Sequence, residues 1–216
     1  MSRVVDMRDA VVLLGRFPAL AGATATIDGG EIVLLRGANG AGKTTFLRTC
    51  AGLLSVSAGH VEVLGHDLRT ARKSVRRHVA LLGHESQLYD DLTVLDNLRF
   101  WARANGAGSS DAIAALDRME VPERLHDVAV ERLSAGQRRR VAIAVVIATR
   151  PRLWLLDEPH AGLDQRGRDL LDSLLVDATA AGATVVFASH ELDRAEQVAT
   201  RTLEVAGGHV GESGHG

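Results

Sequence analysis

The stretch GANGAGKTT, from Gly37 to Thr45, decides how the rest of this 216-residue sequence is interpreted. It satisfies the pattern G-x-x-x-x-G-K-[ST], whose glycines let backbone N–H groups wrap the phosphates of a nucleotide. The apolar run EIVLLRG predicts a strand that leads into it, and KTTFLRTCAGLL predicts a helix that follows it. The stretch therefore predicts a phosphate-binding loop between a strand and a helix.

Each residue type in this loop has a chemical role. Gly37, Gly40 and Gly42 let the backbone approach the β- and γ-phosphates, and the helix that follows adds the positive end of its dipole. Lys43 neutralises phosphate charge, and the Thr44 hydroxyl is placed to bind Mg²⁺. The predicted ligands are ATP and Mg²⁺, and the predicted ATP-binding residues are Gly37, Ala38, Asn39, Gly40, Ala41, Gly42, Lys43, Thr44 and Thr45.

Two further apolar runs predict strands of the same sheet. They are RLWLLDEP at residues 152–159 and ATVVFASH at residues 183–190, and between them leucines recur on one helical face up to Gly182. Apolar strands that alternate with amphipathic helices indicate an α/β fold with a mostly parallel sheet covered on both faces. We expect antiparallel β elements near the N-terminus. The mostly helical pattern of residues 93–149, which begins with a pair that resembles a helix cap, Thr93 and Asp96, indicates an inserted α-helical subdomain.

The whole chain, 1–216, is predicted to form a single nucleotide-binding domain. Its α/β core is expected at about 1–84 and 150–210, and its helical subdomain at about 85–149. At 46% hydrophobic residues the chain is able to bury a substantial core. The net charge of -2 gives no bulk electrostatic reason to predict a nucleic-acid partner.

Cysteine usage and apolar run lengths limit the cellular setting. The one cysteine, Cys50, excludes an internal disulfide framework and is expected to be buried and inert. Asp6 and Asp9 interrupt the N-terminal apolar residues, so export is not expected. The longest apolar run, 141–148, is far shorter than the roughly 20 residues that cross a bilayer. Any action at a membrane is therefore expected to depend on a partner.

The strand RLWLLDEP ends in two adjacent carboxylates, Asp157 and Glu158. Because the carboxyl ends of parallel strands line the ligand crevice, Asp157 is expected to face Mg²⁺ on the same rim as Lys43. Glu158 is the predicted general base for the water that attacks the γ-phosphate, a role worth roughly 10²- to 10⁴-fold in rate. His190 ends the next strand, where an imidazole is able to sense the γ-phosphate, although a structural or solvated histidine explains the position as well.

The pentapeptide LSAGQ, at residues 133–137, precedes another helical run. Ser134 as N-cap and Gln137 three residues later form a capping box, which predicts a helix start. The same geometry presents a hydroxyl, free N–H groups and a helix dipole to an anion. Local capping and phosphate binding both explain the motif at this point.

Taken in order, GANGAGKTT, LSAGQ, LWLLDEP, AGLD and SH resemble the motifs of ABC transporter nucleotide-binding subunits over nearly the whole chain. The resemblance implies a P-loop ATPase that forms a head-to-tail homodimer, with each ATP between the phosphate loop of one subunit and the signature of the other. It implies that the signature residues acting in trans are Ser134, Ala135, Gly136 and Gln137. It also implies that Asp164 is the D-loop residue at the dimer seam and that His190 is the catalytic switch histidine.

Three consecutive arginines, Arg138, Arg139 and Arg140, follow the signature. A nucleic-acid patch and a solvated first turn of the signature helix both explain them. We adopt the solvated turn, because nothing else in the charge pattern indicates a nucleic-acid partner.

One feature of the family is missing from this sequence. Family members usually carry an aromatic that stacks on adenine about two dozen residues before the phosphate loop, and alignment of GRFPALAG puts Leu14 at that place. The nearest aromatic is Phe17. Both the residue that contacts adenine and the selectivity for ATP are therefore open.

The stretch LLGHESQLYDDLTVLDNL carries His84 where the family has a glutamine that helps bind Mg²⁺ and passes the nucleotide state to the membrane subunit. Gln87 lies three positions later, and His84 and Gln87 are the predicted coupling-loop residues. Imidazole is a poor match for hard Mg²⁺, so His84 is expected to contact a metal-bound water or to act purely in coupling, rather than to be a direct ligand. The resemblance implies that YDDLTVLDNLRFW, just after these residues, docks on the membrane subunit.

The stretches GRFPALAG, LLGHESQLYDDLTVLDNLRFW, LSAGQRRRVAIA and LWLLDEPHAGLD together are similar to the ATPase subunit of the haem exporter of cytochrome c maturation. This resemblance implies an ATPase on the cytoplasmic side of the cell membrane that powers haem export through separate integral membrane subunits. The sequence has no C-x-x-C-H motif, so direct haem binding is not expected. An exporter ATPase for a drug or lipid and a soluble, non-transport ABC ATPase are the alternatives.

Overall fold

The computed structural model describes residues 2–83 and 86–212. The chain divides into two compact units, each made of more than one stretch of sequence. The first unit comprises Met1–Leu81, Arg152–Pro159 and Leu175–Gly216. The second unit comprises Leu82–Pro151 and His160–Leu174.

The described residues form strands and helices that alternate through much of the chain. The strands are β1 (Arg3–Leu14), β2 (Phe17–Asp28), β3 (Ile32–Arg36), β4 (Ala58–Val63), β5 (His66–Asp67), β6 (Val79–Leu82), β7 (Leu153–Asp157), β8 (Thr184–Ala188), β9 (Arg201–Ala206) and β10 (His209–Glu212). The helices are α1 (Lys43–Cys50), α2 (Arg72–Val75), α3 (Val94–Ala104), α4 (Ser109–Arg118), α5 (Ala135–Thr149), α6 (Gln165–Ala180) and α7 (Leu192–Val198). None of the described helices is both long enough and apolar enough to cross a membrane.

The larger sheet has six strands in the order β10-β9-β3-β8-β7-β6. Strand β3 runs parallel to β8 and β9, β7 runs parallel to β8, and β10 turns back antiparallel to β9. The central strands are continuous apolar runs that are buried almost throughout, as expected for a parallel sheet covered on both faces. The carboxyl ends of β3, β7 and β8 therefore lie at one edge, where such sheets bind their ligands.

The smaller sheet of the first unit is antiparallel, with the strand order β2-β1-β4-β5. Strand β1 pairs with β2 on one side and β4 on the other, and both pairings contain register shifts. This sheet and the larger one confirm the expected fold class, a mostly parallel core with N-terminal antiparallel elements.

Helix α1 fixes the phosphate loop to the core of the first unit. Its residues Phe46, Leu47 and Cys50 are completely buried. Burial raises the pKa of the Cys50 thiol to about 12, so the thiol stays protonated and unreactive at neutral pH. The expectation of a buried, inert cysteine is confirmed.

The second unit is helical and begins its first long helix with a side-chain cap. The Thr93 hydroxyl accepts a hydrogen bond from the backbone N–H of Asp96 at 3.1 Å, which makes Thr93 the N-cap of α3. Helix α3 ends at Ala104, α4 spans Ser109–Arg118 and α5 begins at Ala135. The capping pair predicted from sequence is therefore present.

The segment His160–Leu174 belongs to the second unit, although it falls within the range 150–210 that was expected to be part of the α/β core. Two ion pairs tie it to the helical part of this unit. Arg166 contacts Glu120 at 2.6 Å, and Asp164 contacts Arg140 at 2.8 Å. Sequence periodicity carries no information about such contacts, because the partners are at least 24 residues apart.

The carboxylate of Asp6, in β1, forms ion pairs with two arginines of the first unit. Arg8 donates to both oxygens of Asp6, at 2.5 and 3.0 Å, and Arg3 donates to one of them at 3.3 Å. The hydrogen bond from Arg8 lowers the pKa of Asp6 to about 2, although burial of the carboxyl opposes the shift. Asp6 therefore stabilises the folded chain in its ionised form.

We predict that Asp6→Asn lowers the free energy of unfolding at pH 7 by about 1–2 kcal/mol, a value reduced because the arginines are solvated. The folded pKa lies below the unfolded value, so the stabilisation is present above about pH 4 and is lost as the pH falls through about 2. Urea unfolding at pH 7 and pH 2.5 measures the difference. Asp9→Asn is the matched control, because Asp9 is an exposed carboxylate on the same strand. A deficit in Asp6→Asn that stays constant across this pH range would contradict the ion-pair explanation.

Candidate nucleotide-binding site

Lys43 lies at the centre of the predicted phosphate loop. Its side-chain ammonium donates to the backbone carbonyls of Gly37 at 2.6 Å and Ala38 at 3.0 Å, and the residue is only 8% exposed. These acceptors are neutral, so the positive charge is held in the loop and remains available to a phosphate. The structure thus folds the loop back over its lysine, as a phosphate-binding loop requires.

Two glycines of the loop sit where a side chain has no room. Gly37 has a φ of 155°, and a Cβ on it would lie 2.1 Å from the carbonyl oxygen of Val205. Gly42 has a φ of 116°, and a Cβ on it would lie 2.8 Å from the carbonyl oxygen of Ala19. Any other residue at these positions would force the neighbouring backbone to move.

The start of helix α1 is open to an anion. Its N-cap is Gly42, which has no side chain to accept from the first N–H groups of the helix. Those N–H groups and the helix dipole therefore point toward the loop, next to the ammonium of Lys43. Together they form an electropositive site that suits a phosphate group.

The carboxyl end of β7 brings Asp157 to the same place. The Thr44 hydroxyl donates to an oxygen of Asp157 at 2.7 Å, and Asp157 is paired in the sheet with Ala188 of β8. A hydroxyl and a carboxylate this close are a pair of hard oxygen donors, the type that Mg²⁺ prefers. In the described residues no group of three or more His, Cys, Asp or Glu side chains forms a separate metal site.

Glu158 and His190 are in direct contact. The backbone N–H of His190 donates to one Glu158 oxygen at 3.1 Å, and the His190 Nε2 lies 3.3 Å from the other. Glu158 has a φ of 48°, a left-handed conformation that is rare for a residue with a side chain. Its own N–H donates to the Ala188 carbonyl at 2.9 Å, which holds this conformation. Strained residues of this kind cluster at functional sites, and here the strain directs the carboxylate toward His190.

The signature segment of the second unit begins helix α5 with a complete capping box. The Ser134 hydroxyl accepts from the Gln137 backbone N–H at 3.2 Å, and the Gln137 side chain accepts from the Ser134 N–H at 3.0 Å. Gly136 allows a close approach, because a Cβ there would lie 3.0 Å from the carbonyl oxygen of Gly162. The capping interpretation of the motif is confirmed, and its action on nucleotide in trans stays a prediction.

The three arginines after the signature do not form a solvated turn, and that expectation is wrong. Arg138 bonds to the Ser86 hydroxyl at 2.8 Å and forms an ion pair with Asp90. Arg139 is buried, and it donates to the carbonyl of Gly83 at 2.9 Å. Such long-range hydrogen bonds leave no trace in the local sequence pattern.

Arg140 completes the set by binding two further segments of the second unit. It donates to the carbonyl of Met119 at 3.0 Å and to Asp164 at 2.8 Å. The three arginines therefore join the first turn of α5 to other parts of this unit, instead of presenting a free patch to nucleic acid.

Asp164 has an intrachain role in addition to the one predicted for it. Its carboxylate accepts from the Gly167 backbone N–H at 2.9 Å, so it caps the start of α6. This hydrogen bond, and then the one from Arg140, lowers the pKa of Asp164. The position of Asp164 at a dimer seam stays a prediction.

An aromatic cluster follows the predicted coupling loop. The rings of Tyr89 and Trp101 are 6.3 Å apart and stacked, and Phe100 packs edge-on against both, at 5.1 and 5.4 Å. The Trp101 indole N–H donates to the Gln87 carbonyl at 3.2 Å, whereas His84 lies outside the described residues. Tyr89 and Phe100 remain 44% and 45% exposed. All three rings lie in the stretch YDDLTVLDNLRFW that the family resemblance implies as the docking region, whereas the local pattern does not show that they pack together.

The two candidate adenine contacts lie at the hairpin that joins β1 to β2. Leu14 and Phe17 face each other across its turn and are 48% and 80% exposed. The hairpin touches the phosphate loop, because Ala19, two residues after Phe17, has the carbonyl that crowds Gly42. The structure thus places both side chains on the element beside the loop.

The phosphate loop, the Thr44–Asp157 pair and the Glu158–His190 pair on one parallel sheet define a P-loop nucleoside triphosphatase. The sequence matches the family described as ABC transporter over residues 20–161. The chain belongs to the ABC transporter family, and it is an ATPase whose ATP hydrolysis is coupled to transport.

Individual relatives narrow the comparison. The chain is 38% identical over 190 residues to a cytochrome c biogenesis ATP-binding export protein of Salmonella paratyphi A, covering 88% of this chain and 91% of that protein. It is 42% identical over 179 residues to the protein of the same name in Bordetella bronchiseptica, covering 82% and 79%.

Solved structures agree on the fold. An ATP-binding subunit of an ABC transporter superimposes with a TM-score of 0.89 at 26% identity, covering 97% of this chain and 90% of that one. The ATP-binding cassette MJ0796, solved as a dimer in a post-hydrolysis state with ADP and Pi, gives 0.85 at 25% identity, covering 96% and 98%.

We predict that Glu158→Gln lowers steady-state ATP turnover by roughly 10²- to 10⁴-fold, because glutamine keeps the shape of the side chain but cannot accept a proton from water. ATP binding should remain, since the phosphate loop is untouched. Phosphate release and nucleotide binding measure the two effects separately. Glu196→Gln is the control, since Glu196 pairs with Arg36 at the surface. Wild-type turnover in Glu158→Gln would exclude Glu158 as the general base.

Proposed function

We propose that this chain is the ATP-hydrolysing subunit of a membrane complex that exports haem for c-type cytochrome biogenesis. It acts as a homodimer, is held at the cytoplasmic side of the membrane by separate integral membrane subunits, and does not bind haem itself. The observation that carries the proposal is the 38–42% identity over most of the chain to cytochrome c biogenesis ATP-binding export proteins. Haem as the cargo rests on the resemblance of sequence motifs.

The catalytic chemistry follows from the carboxyl edge of the sheet. Lys43 and the open start of α1 bind the phosphates, so that the γ-phosphate faces the end of β7. Glu158 accepts a proton from the attacking water, and the His190 contacts at 3.1 and 3.3 Å orient its carboxylate for that step. His190 is therefore proposed to respond to the γ-phosphate through Glu158.

Thr44 and Asp157 are the proposed Mg²⁺ ligands. Their oxygens are 2.7 Å apart, and a site with one or two protein oxygens suits an ion that keeps water and phosphate ligands. Bound Mg²⁺ supplies charge neutralisation at the β- and γ-phosphate oxygens. With Mg²⁺ bound, the Thr44 oxygen would offer a lone pair to the ion while its proton stays directed at Asp157.

The homodimer is proposed to complete each ATP site with the signature of the partner. Ser134 and Gly136 at the start of α5 offer a hydroxyl and backbone N–H groups beside a helix dipole, and these groups suit a γ-phosphate. Ala135 and Gln137 complete the motif, and Asp164 is proposed to lie at the seam. The dimeric structure of MJ0796 supports this assembly at 25% identity.

The aromatic cluster of Tyr89, Phe100 and Trp101 is proposed as the surface that docks on the membrane subunit. Two of its three rings are about half exposed, although exposed aromatics are costly to leave in water and are typical of interaction sites. The cluster lies directly after the proposed coupling-loop residues, His84 and Gln87. Docking at this surface would therefore reach the loop through the hydrogen bond between Trp101 and Gln87.

We predict that Phe100→Ala reduces co-purification of a polytopic membrane protein from solubilised membranes by about tenfold or more, the effect of removing an interface anchor. ATPase activity of the isolated chain should stay close to wild type. Ile113→Ala is the matched control, because Ile113 is a 42% exposed apolar residue of the same unit outside the cluster.

The same purification tests the function as a whole. A co-purifying membrane complex that carries haem supports the proposed cargo. A membrane complex with a drug or lipid instead would assign another export cargo. Failure of any polytopic protein to accompany the wild-type chain would favour a non-transport ABC ATPase.

Phe17 is proposed to stack on the adenine in place of the aromatic that the family carries elsewhere. We predict that Phe17→Ala raises the KM for ATP by roughly tenfold, because stacking of a base on an aromatic ring contributes about 1–3 kcal/mol. Leu14→Ala, its cross-strand partner, is the control and should change the KM little. Steady-state kinetics with ATP and GTP measure both effects. An equal KM for Phe17→Ala and wild type would leave adenine without an aromatic contact from this hairpin.

A further inference from the structure

A dense group of positive charges lies in the first unit, away from the residues assigned to ATP. Five of the 25 lysines and arginines fall within nine consecutive residues: Arg69, Arg72, Lys73, Arg76 and Arg77. The sequence has no aspartate or glutamate between residues 68 and 83. The whole chain has a net charge of -2, so this concentration of one sign is a local feature.

None of these five side chains forms an ion pair with a carboxylate within residues 2–83 and 86–212. Arg72 donates to the Ser55 hydroxyl at 2.5 Å, and Arg76 donates twice to the Gly52 carbonyl, at 2.9 and 3.2 Å. Both acceptors are neutral. The adjacent Asp67 carboxylate accepts the backbone N–H of Arg69 at 2.8 Å. Arg72 is partly buried as a residue, but its hydrogen bond to Ser55 is exposed, so its guanidinium is accessible to an anion.

Three of the five cations surround a cavity of about 410 Å³, which we call the basic cavity. Its polar side chains are Ser55, Arg69, Thr70, Arg72, Lys73 and Ser74. The backbone behind the lining residue Arg72 is closely packed, because Gly52 has a φ of 67° and a Cβ on it would lie 2.6 Å from the Arg72 carbonyl oxygen. The cavity therefore combines positive charge, hydroxyl groups and a backbone that is already in place.

The basic cavity is separate from the nucleotide site along the chain and in space. The phosphate loop precedes helix α1, whereas Gly52, which packs against the cavity residue Arg72, follows it. An eight-residue helix is about 12 Å long, so the two sites lie at opposite ends of α1. An anion in the cavity is thus not a second contact of the ATP phosphates.

We propose that the basic cavity binds a phosphate-bearing anion, with Arg69, Arg72 and Lys73 as its charged contacts. Guanidinium groups match phosphate oxygens with paired hydrogen bonds, and the hydroxyls of Ser55, Thr70 and Ser74 supply further donors. The anion is either a free phosphate compound or the headgroup of an acidic phospholipid. This site does not depend on the proposed transport function.

The first arm of the test titrates inorganic phosphate into the full-length chain with its nucleotide site filled by Mg²⁺-ADP. Backbone amide signals of residues 69–74 should shift and saturate, and chloride at equal ionic strength should leave them unchanged. Arg69→Ala/Lys73→Ala should weaken phosphate binding by about tenfold. Arg103→Ala/Arg124→Ala is the control, because it removes the same charge from exposed positions of the second unit.

The second arm sediments the chain with vesicles of phosphatidylcholine alone or with added phosphatidylglycerol. Binding only to the phosphatidylglycerol vesicles, lost in Arg69→Ala/Lys73→Ala but kept in the control, assigns a lipid headgroup. Amide shifts with phosphate but no vesicle binding assign a free phosphate compound. The proposal is overturned if neither probe binds, if Arg69→Ala/Lys73→Ala binds like wild type, or if the control loses as much. ATP turnover of the double variant should remain at the wild-type level, which keeps this test apart from those of the catalytic site.

Discussion

The close approach of backbone to backbone around the phosphate loop is the constraint on which the site depends. Gly37 lies against Val205 of β9 and Gly42 lies against Ala19 of β2, both at distances that a Cβ would violate. Gly208 closes the same contact, because its N–H donates to Ala41 at 3.0 Å while its carbonyl accepts from Ala21 at 2.9 Å. The backbone of the loop is therefore held in place between the two sheets of the first unit. Such prior organisation lets the site bind phosphate without ordering the backbone first.

This constraint explains why one short motif predicts so much of the first unit. The phosphate loop packs against β2 on one side and β9 on the other. A chain that forms this loop therefore also has to place these two strands beside it. The strands at β3, β7 and β8 were predicted because they are continuous apolar runs, and the caps of α3 and α5 were predicted because their partners are three residues apart. Signals of this kind are local, so a single sequence contains them.

The contacts that the sequence did not reveal are those between distant residues. Arg138 reaches Ser86, 52 residues away, and Arg140 reaches Asp164, 24 residues away. A run of arginines at a helix start has the same local pattern whether its side chains are solvated or bonded, so the pattern favoured the wrong interpretation. The basic cavity was not predicted for a related reason. Its charges are visible in the sequence, but the close contact between Gly52 and the backbone of Arg72 is not. His84, which occupies the place of the family's glutamine, lies outside the described residues.

The three arginines connect the start of α5 to other segments of the second unit. Arg138 and Arg139 bond to Ser86 and Gly83, and Arg140 bonds to Asp164, which caps α6. The three side chains belong to a single helical turn. If that turn rotates, either some of these hydrogen bonds lengthen or the partner residues move with the turn. Charge-assisted bonds are stronger than neutral ones, which makes the second outcome the easier one. Gly83, Ser86 and the cap of α6 are therefore expected to move together with the signature, because separating them would break the hydrogen bonds of these three arginines.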